Sequence, residues 1–430
     1  MRAPSWLFTC STSTSTSTST SVPHPNYSLS DSTTSTSSSS PSSSDSSSIS
    51  SLHTSLSLQT LPSVPSLQNL SPQSLNLYVS HTSTSSLHHH PLPVTSLFVQ
   101  RNLLYVASAH RINVYDRATF ALLDVVNDAG SSSGYVKSLS SCDGRIFTAH
   151  QDSKIRVWKI TEAKRHKLST VLPTIDDRLR RFLLPKNYVA IRRHKKLLWI
   201  EHADAITGLA VSNGFIYSVS WDKYFKMWSA EDLRCLDSVK AHDDAINAVV
   251  VSTDGTVYTG SADYRIRVWT KPVRDKRHLL IATLEKHKSA VNALALNDDG
   301  SVLFSGACDR SILVWEREDS ANHMVVSGAL RGHKKAILSL LYVSDLLFSG
   351  SSDRMVRIWQ RGHDGNYCCL AVLEGHHKPV KSLAAVRDDG DDSVVSVYSG
   401  SLDGEVKAWR VTMSRACSAF PCTPVEFVKS

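Results

Sequence analysis

The sequence predicts an all-β fold, a seven-bladed β-propeller preceded by a disordered, Ser/Thr-rich N-terminal tail. Three observations support this prediction. A motif that ends in an aromatic residue recurs mostly at intervals in the forties, a His stands at a fixed distance ahead of the copies, and the N-terminal region has almost no charge. Repeats of this length that carry short alternating strands are typical of a β-sheet unit repeated around an axis.

The overall composition argues against a membrane protein. The chain has 430 residues, a formal net charge of +8 and 41% hydrophobic residues. No stretch approaches the run of about 18 apolar residues that a membrane-spanning helix needs. The apolar run Trp6–Phe8 is too short for the hydrophobic part of a secretory signal. We therefore expect no membrane association, and either one large all-β domain or several smaller domains.

Residues 1–79 are predicted to form the disordered tail, followed by a propeller over 80–412 and a C-terminal tail over 413–430. Of the first 60 residues, 36 are Ser or Thr, and such a segment has too little apolar surface to offset its chain entropy. Two interpretations of the tail stay open. It is either a regulatory segment phosphorylated at sites such as Ser40 and Ser71, each followed by Pro, or a solvated simple-sequence leader without a switch role.

The repeated motif places an Asp six residues before a Trp, and a Ser or Thr four residues before that Asp. A weaker first copy ends at Tyr115, and the intervals between the terminal aromatic residues are 43, 70, 41, 46, 44 and 50 residues. A second landmark is a His four residues before a β-branched residue. Five copies carry the complete set of four residues: His202, Ser218, Asp222 and Trp228; His242, Thr259, Asp263 and Trp269; His287, Ser305, Asp309 and Trp315; His333, Ser349, Asp353 and Trp359; and His376, Ser399, Asp403 and Trp409.

This pattern resembles the WD40 repeat family. Gly332-His333 and Gly375-His376 match the GH dipeptide of that family, and seven copies agree in phase over residues 80–410. The resemblance implies a buried hydrogen-bond chain in each blade, in which the Asp accepts from the His, the His bonds the hydroxyl, and the hydroxyl meets the Trp indole. Each bond contributes about 1 kcal/mol, and an unpaired buried partner costs more. The Asp that follows Trp in the family is absent here.

The copies are unequal. The first has Tyr105, Ala109 and Tyr115 in place of the Ser/Thr, the Asp and the Trp, and the second has Ser132 in place of the His. The seventh blade needs an outer strand from elsewhere. We predict that the segment His81–Leu87 supplies this strand and closes the ring, because a closed ring leaves few unpaired sheet edges.

A His beside an Asp and a Ser also fits a catalytic triad. Five copies repeat the full set, however, whereas an enzyme needs one site. The sequence also lacks the common metalloprotease, hydrolase and nucleotide-binding motifs, and it has no CxxC pair of the kind that binds zinc. We therefore predict that the histidines are structural, and we predict no catalytic residue, no cofactor and no metal site.

The positive charge is concentrated in one segment. Residues 161–201 contain eleven Lys or Arg and four acidic residues, which gives +7 of the total +8. We predict a basic insertion over 174–201 in the loop before blade 3. This loop belongs to the face where His and Asp meet, here called the top face. Thr174-Ile-Asp-Asp177 fits a capping box, apolar residues follow it at helical spacing, and Pro185 ends the short helix.

Three interpretations of the insertion stay open. It is a docking element for an acidic or phosphorylated partner, a nuclear-import signal, or a solvated face whose Leu and Phe residues pack on the ring. Direct nucleic-acid binding is disfavoured, since no aromatic-basic RNA motif or recognition helix accompanies the charge. The basic run predicted to contact a partner consists of Arg192, Arg193, Lys195 and Lys196.

Residues beside the Asp of each copy are predicted to lie on the top face. Aromatic and Arg side chains dominate binding hot spots. For Trp221, two interpretations stay open, a partner hot spot and a side chain packed under the insertion. The predicted partner-binding residues of this face are Trp221, Lys223, Tyr224, Tyr264, Arg310 and Arg354.

Several segments resemble a narrower family as well. They are Pro185–Lys196, Trp199–Asp204, Lys240–Ala245, Glu285–Ala290 and Ala307–Trp315. They look like the plant WD-repeat family typified by Jingubang. This resemblance implies a non-enzymatic plant regulator of the cytoplasm and nucleus, with partners that include transcriptional regulators.

The sequence as a whole predicts a monomeric, non-enzymatic scaffold for protein–protein interactions in signalling or developmental control. One alternative is a substrate receptor of a cullin-type ubiquitin ligase. Such receptors use a WDxR sequence, and no copy contains it. Tyr115–Ala118 and Trp315–Glu318, for example, both fail to match. The other alternative is a propeller-type hydrolase, which needs a lone polar constellation in the central channel that the sequence does not display.

Overall fold

The described residues form seven antiparallel sheets of four strands each and one separate two-stranded hairpin. The seven-bladed β-propeller predicted from the sequence is thus confirmed. Residues 1–63 of the predicted tail and residues 416–430 lie outside the described residues. The computed structural model describes residues 64–68, 77–87, 90–127, 134–161, 165–192, 195–272, 275, 277–317, 324–362, 364–388 and 390–415.

The elements are numbered in chain order. They are β1 (Leu77–Leu87), β2 (Val94–Gln100), β3 (Leu103–Ser108), β4 (Arg111–Asp116), β5 (Leu122–Asn127), β6 (Val136–Cys142), β7 (Arg145–His150), β8 (Ile155–Ile160), β9 (His166–Leu172), α1 (Ile175–Phe182), β10 (Tyr188–Arg192), β11 (Lys195–Leu198), β12 (Ile206–Ser212), β13 (Phe215–Ser220), β14 (Tyr224–Ser229), β15 (Cys235–Lys240), β16 (Ile246–Val251), β17 (Val257–Ser261), β18 (Ile266–Thr270), β19 (Leu279–Leu284), β20 (Val291–Leu296), β21 (Val302–Ala307), β22 (Ile312–Arg317), β23 (Met324–Leu330), β24 (Ile337–Val343), β25 (Leu346–Ser351), β26 (Val356–Arg361), β27 (Tyr367–Leu373), β28 (Val380–Asp388), β29 (Asp391–Ser401) and β30 (Val406–Arg415).

Each blade has four strands, a to d, with strand a at the centre of the ring and strand d at the rim. Blades 1 and 2 are β2–β5 and β6–β9, and blades 3 to 6 are β12–β15, β16–β19, β20–β23 and β24–β27. The insertion between blades 2 and 3 contains α1, a 3₁₀ turn and the hairpin β10–β11. Among the described residues, no helix combines the length and apolar character needed to cross a membrane.

The burial of a strand follows its place in the blade. Strand b has both faces covered, so β21 and β25 are buried at every residue and consist of apolar and small side chains. Strand d lies at the rim, and in β19 the side chains of Leu279, Leu280 and Ile281 are exposed. Strands covered on both faces need continuous apolar runs, whereas rim strands do not.

The core consists of apolar clusters that lie between blades. The described residues form seven of them, one at each junction of neighbouring blades. At the junction of blades 5 and 6, for example, Phe304 and Val314 pack with Trp359 and Tyr367. Burying one large apolar side chain contributes about 1.5–3 kcal/mol. Because each sheet covers the face of the next, the whole ring depends on every junction.

Blade 7 is completed by the N-terminal strand. It combines β28, β29 and β30 with β1, which pairs antiparallel to β30 and places Ser83 opposite Trp409. The predicted closure by the segment His81–Leu87 is confirmed. The strand begins at Leu77, three residues before the predicted start of the propeller at residue 80.

The segment 64–68, which the sequence places in the disordered tail, is part of the packed ring. It lies between the outer strands of blades 5 and 6, where Ser66 pairs with Ala329 and Gln68 pairs with Tyr367. The physical reason is local, since Val64 and Leu67 provide apolar contacts with clusters of the ring. We call residues 64–68 the strap.

Removing the closing strand should destabilise the ring. We predict that a chain starting at residue 90, which lacks β1, unfolds at least about 5 °C below a chain starting at residue 77, because the loss of several kcal/mol lowers Tm by that order. Thermal unfolding followed by circular dichroism checks this difference. Both chains lack the strap, so equal unfolding temperatures would contradict a stabilising role of β1.

Candidate functional site

Blades 3 to 6 each contain a hydrogen-bonded set of His, Ser or Thr, Asp and Trp. In blade 6, His333 Nδ1 lies 2.9 Å from Asp353 Oδ2, and His333 Nε2 lies 2.7 Å from Ser349 Oγ. The Trp359 indole N–H donates to the same Ser349 oxygen at 2.8 Å. A carboxylate only accepts, so Nδ1 carries the proton and Nε2 accepts from the hydroxyl. The equivalent bonds of blades 3, 4 and 5 join His202, Ser218, Asp222 and Trp228; His242, Thr259, Asp263 and Trp269; and His287, Ser305, Asp309 and Trp315.

The Asp of each of these sets is a strongly stabilised carboxylate. Burial raises the pKa of Asp353, but hydrogen bonds from His333 and from backbone N–H groups more than offset this and lower its pKa to about 2. The same balance lowers the pKa of Asp263 and Asp309 to about 2. These carboxylates therefore stay ionised and keep their acceptor role throughout the neutral and mildly acidic pH range.

The hydroxyls of these sets are unsuited to nucleophilic chemistry. Ser218, Thr259, Ser305 and Ser349 are fully buried. Each hydroxyl oxygen also bonds both a His and a Trp indole. A catalytic nucleophile needs access to a substrate carbonyl, whereas these atoms are enclosed in the sheet. The sets join the top turns of each blade to its strands.

In blade 7 the set is incomplete, contrary to the prediction from the sequence. His376 Nε2 and the Trp409 indole bond Ser399 Oγ at 2.7 and 2.8 Å, as in the other blades. The His376 Nδ1 atom, however, lies 4.0 Å from Asp403 Oδ2, beyond hydrogen-bond distance. Asp403 instead accepts from backbone N–H groups, and burial lowers the pKa of His376 to about 4.

The same corner of blade 7 brings three potential metal ligands together. Oxygens of Asp403 and Glu405 and a nitrogen of His376 lie within 4.8 Å of one another, the one such group found among the described residues. The ammonium of Lys407 lies 3.0 Å from Glu405 and already supplies a positive charge there. The Lys407 ammonium thus balances one of the two carboxylate charges.

Blade 2 builds its set from a His that the motif did not indicate. His150, at the end of β7, places Nε2 2.7 Å from Thr148 Oγ1, and the Trp158 indole donates to the same oxygen at 3.0 Å. Ser132, the predicted substitute for the His, lies outside the described residues. The signal that could have revealed this was a His two residues after the Thr, where blades 3 and 4 have Ser220 and Ser261.

Blade 1 replaces the set with other contacts. His90 Nδ1 lies 3.0 Å from Asn113 Nδ2, and its ring meets Tyr115 edge-on. The Tyr105 hydroxyl lies 3.0 Å from His166 Nε2 of blade 2. Burial is the main cause that raises the pKa of Tyr105, so its hydroxyl remains a neutral hydrogen-bonding group.

The b–c turns of the top face hold four predicted partner-binding residues in an unusual conformation. Lys223, Tyr264, Arg310 and Arg354 have φ values of 76°, 71°, 71° and 76°. This left-handed region favours glycine, and blade 7 has Gly404 at that place. The preceding Asp stabilises each turn by accepting the backbone N–H two residues on. Tyr264, Arg310 and Arg354 are exposed, whereas Lys223 is half-buried.

Trp221 lies beside a cation of the neighbouring blade. The Lys137 ammonium is 5.2 Å from the centre of a Trp221 ring and 5.7 Å from that of Tyr135. Lys137 and Lys381 stand on the central strands β6 and β28, and burial, together with the charge of Lys137, lowers the pKa of Lys381 to about 8. Within the described part of the chain, neither ammonium forms an ion pair, so this region is electropositive.

The insertion begins with the predicted helix. The Thr174 hydroxyl accepts from the Asp177 N–H at 3.1 Å, so the predicted N-cap is confirmed, and α1 ends at Phe182, before Pro185. Its position differs from the prediction. The predicted loop lies on the top face, but α1 packs on the rim, beside the start of β15 and the c–d loop around Leu233.

Buried polar contacts cause this placement. The Asp177 carboxylate is buried, accepts from the Cys235 N–H at 3.2 Å and pairs with Arg181 at 2.9 Å. The Arg181 guanidinium stacks over the Trp199 ring at 4.7 Å. The buried Lys226 ammonium donates to the Trp199 carbonyl. The helix is therefore held by its polar face.

The apolar face of the insertion points to solvent as a result. Ile175, Leu179, Phe182 and Leu183 are 76%, 57%, 48% and 74% exposed. The interpretation in which Leu and Phe pack on the ring is thus wrong for these residues. The sequence did not show that Asp177, rather than the apolar residues, contacts the ring.

The basic run follows in the hairpin. Arg192 ends β10 and Lys195 begins β11, where the two residues are register partners. Lys196 is exposed, while Arg193 lies outside the described residues. The partner contacts of the basic run and of the top-face residues stay a prediction.

The fold and its buried sets define a seven-bladed β-propeller without an accessible catalytic group in the sets described above. Comparison with protein families shows that four segments of this propeller match a WD40 repeat model. The family described as WD domain, G-beta repeat, matches residues 233–270, 279–316, 324–360 and 367–410. Each match begins at strand d of one blade and reaches strand c of the next.

A curated relative has a more limited likeness. Mitochondrial division protein 1 of Schizosaccharomyces pombe (strain 972 / ATCC 24843) is 29% identical over 134 residues, which are 27% of this chain and 20% of that protein. The chain thus spans about a fifth of the length of this relative. These matches do not test the narrower plant resemblance, which stays a prediction.

The missing hydrogen bond between His376 and Asp403 in blade 7 leads to a test of how much the His–Asp bond stabilises the other blades. We predict that Asp353→Asn lowers the free energy of unfolding by about 1.5–3 kcal/mol more than Asp403→Asn does. The reason is that only Asp353 forms a hydrogen bond with its His. A hydrogen bond to a charged group contributes about 1.5–3 kcal/mol to stability. Urea denaturation of both variants measures the difference. Equal losses would show that the His–Asp bond adds no stability in blade 6.

The buried His150 leads to a pH dependence. Burial lowers its pKa to about 3, so between pH 3 and about 6.5 the unfolded chain binds a proton that the folded chain does not. Stability therefore falls as the pH drops from 7.5 to 5. We predict that His150→Gln loses about 2 kcal/mol less than the unmodified protein over this interval, measured by urea denaturation.

A matched variant separates this proton effect from packing. Trp158→Phe removes a hydrogen bond of the same set without removing a titrating group. It should lower stability by a similar amount at pH 7.5 and pH 5. An unchanged pH dependence in His150→Gln would mean that His150 is not kept neutral by the fold.

Proposed function

We propose that the protein is a non-enzymatic scaffold that docks other proteins on its insertion and on the top face of the ring. The observation that carries this proposal is the exposed apolar face of α1 beside basic residues. The partner at the insertion has an apolar groove with acidic or phosphorylated groups at its rim.

The exposed face of α1 has the character of a binding surface. An amphipathic helix normally turns its apolar side to the core, and contiguous exposed apolar patches mark interaction sites. Here the buried Asp177 fixes the opposite orientation. The patch formed by Ile175, Leu179, Phe182 and Leu183 therefore remains available to a partner, and we call it the α1 patch.

Charge around the α1 patch selects the kind of partner. Arg180, Lys186 and Lys196 are exposed, and none of the three forms an ion pair with another described residue. Unpaired surface cations attract an acidic surface and speed its encounter. The basic run from Arg192 to Lys196 continues the same charge along the hairpin.

The second proposed docking surface is the top face of the ring. Non-glycine residues with positive φ store strain, which is found at functional sites, and Tyr264, Arg310 and Arg354 are exposed there. Lys137 and Lys381 add positive charge near the axis. The plant family resemblance supports a role in signalling, in the cytoplasm and nucleus, with transcriptional regulators among the partners.

We predict that Leu179→Asp combined with Phe182→Asp abolishes docking at the insertion. Burial of two such side chains contributes several kcal/mol, so recovery of the docked partner from plant extract should fall at least about tenfold. Quantitative mass spectrometry after affinity capture with the full chain checks this. The unfolding temperature should change by about 1 °C at most, because both residues are exposed.

The chain offers a matched control on another rim strand. Leu279 and Ile281 of β19 are 48% and 43% exposed, so Leu279→Asp with Ile281→Asp removes similar apolar surface away from the insertion. This control should keep all partners. Reversal of charge at Arg180 and Lys196 should weaken the same partner as the α1 variant. An unchanged partner set in the α1 variant would rule out docking at the insertion.

A further inference from the structure

The strap binds both neighbouring blades through its backbone. It lies in the gap between β23 of blade 5 and β27 of blade 6, here called the 5/6 groove. Leu67 N–H donates to the Ala329 carbonyl at 3.2 Å, and Ala329 N–H donates to the Pro65 carbonyl at 2.9 Å. Tyr367 N–H donates to the Leu67 carbonyl at 2.7 Å. The strap is therefore an added strand that connects two rims.

Two equivalent junctions are closed by side chains instead. Between blades 1 and 2, Asp124 accepts from the backbone N–H of His166 at 2.7 Å and from its ring at 2.9 Å. Between blades 3 and 4, Asp237 accepts from the N–H and ring of His278, both at 2.9 Å. In both cases an Asp of one outer strand accepts the N–H of a His that lies at the start of the next outer strand or directly before it.

The 5/6 groove lacks both of these side chains. Strand register makes Gly328 the equivalent of the two Asp residues. Gly328 pairs with the residue directly before Trp315. In the same way, Asp124 and Asp237 pair with the residues directly before Tyr115 and Trp228. Tyr367 stands in place of the His. Its buried N–H has no carboxylate from β23 to bond, and the strap supplies an acceptor. The groove is thus built to receive a peptide backbone.

The groove also selects side chains. A Cβ atom on Gly328 would lie 2.3 Å from Leu67 Cγ and 3.0 Å from the Pro65 carbonyl, so only glycine leaves room for this backbone and its Leu. Leu67 packs with the cluster that contains Phe304 and Tyr367. Arg331 donates to the Val64 carbonyl at 2.7 Å. These contacts favour an extended segment with Leu two residues after Pro.

We propose that the 5/6 groove is a strand-addition site for an extended partner segment of the form Pro-x-Leu, and that the strap is its intramolecular occupant. Pro65 and Ser66 are exposed, so the outer side of the strap is open to solvent and a partner segment can replace it. The groove lies apart from the insertion between blades 2 and 3. The failure of either docking proposal therefore leaves the other intact.

The strap competes with a partner segment for the 5/6 groove because the strap is covalently attached to the ring. A tethered segment has an effective concentration in the millimolar range, so it lowers the apparent affinity for any free segment. Weakening the strap must then strengthen binding of the free segment. This inverse relation distinguishes an exchangeable occupant from a fixed part of the fold.

The test uses the full chain with Leu67→Asp, which weakens the strap, and a fluorescent peptide of residues 61–69. Fluorescence anisotropy should give a Kd at least about tenfold lower for this variant than for the unmodified protein. The same peptide carrying Leu67→Asp should bind at least about tenfold more weakly to the variant. A variant that binds the peptide no better than the unmodified protein overturns the proposal.

Two groove variants show where the peptide binds. In the Leu67→Asp chain, Gly328→Val should abolish binding, and Arg331→Ala should weaken it at least about threefold. Arg331 is exposed, so its substitution should leave the unfolding temperature unchanged, and this variant decides the question if Gly328→Val does not fold. Peptide binding that neither variant changes would place the site elsewhere and overturn the proposal.

Discussion

The structure depends on one constraint, that each blade must be covered by its neighbours, and at several junctions hydrogen bonds at the rim add to this cover. The apolar clusters meet this requirement in the same way at every described junction, but the rim bonds do not. Asp–His pairs close two junctions, Asp177 of the insertion bonds Cys235 at another, and the strap closes the 5/6 groove. The insertion and the strap, which look like unrelated additions in the sequence, are both solutions of this constraint.

The interior of the blades contrasts with this varied rim. The hydrogen-bonded sets of blades 3 to 6 are nearly identical, because a buried donor or acceptor that lost its partner would cost more than the bond contributes. Blade 2 reaches the same indole and hydroxyl bonds through His150, whose side chain enters from a strand instead of a loop. Binding surfaces can therefore diversify at the rim and the turns while the interior stays fixed.

The sequence predicted most features that depend on spacing, although not the missing His–Asp bond of blade 7, and it missed two features that depend on a distant backbone group. Blade number, the closing strand and the helix cap follow from intervals and local residue types. The orientation of α1 depends on a bond from the Cys235 N–H, 58 residues from Asp177, and no side-chain pattern reveals a backbone donor. The strap was hidden for the same reason, since its Ser and Pro content matched disorder whereas its bonds are with main-chain atoms of Ala329 and Tyr367.

The pairing of β1 with β30 also sets the order of events during synthesis. The strand that ends at Leu87 leaves the ribosome long before Val406, which lies 319 residues later. At roughly 5–20 residues per second, β1 waits on the order of 15 to 65 seconds for its partner. An unpaired strand edge invites aggregation during such a wait, and the polar sequence His81-Thr-Ser-Thr-Ser-Ser86 gives it little to aggregate with. The polar composition of this strand therefore suits a segment that must wait for its partner until the ring can close.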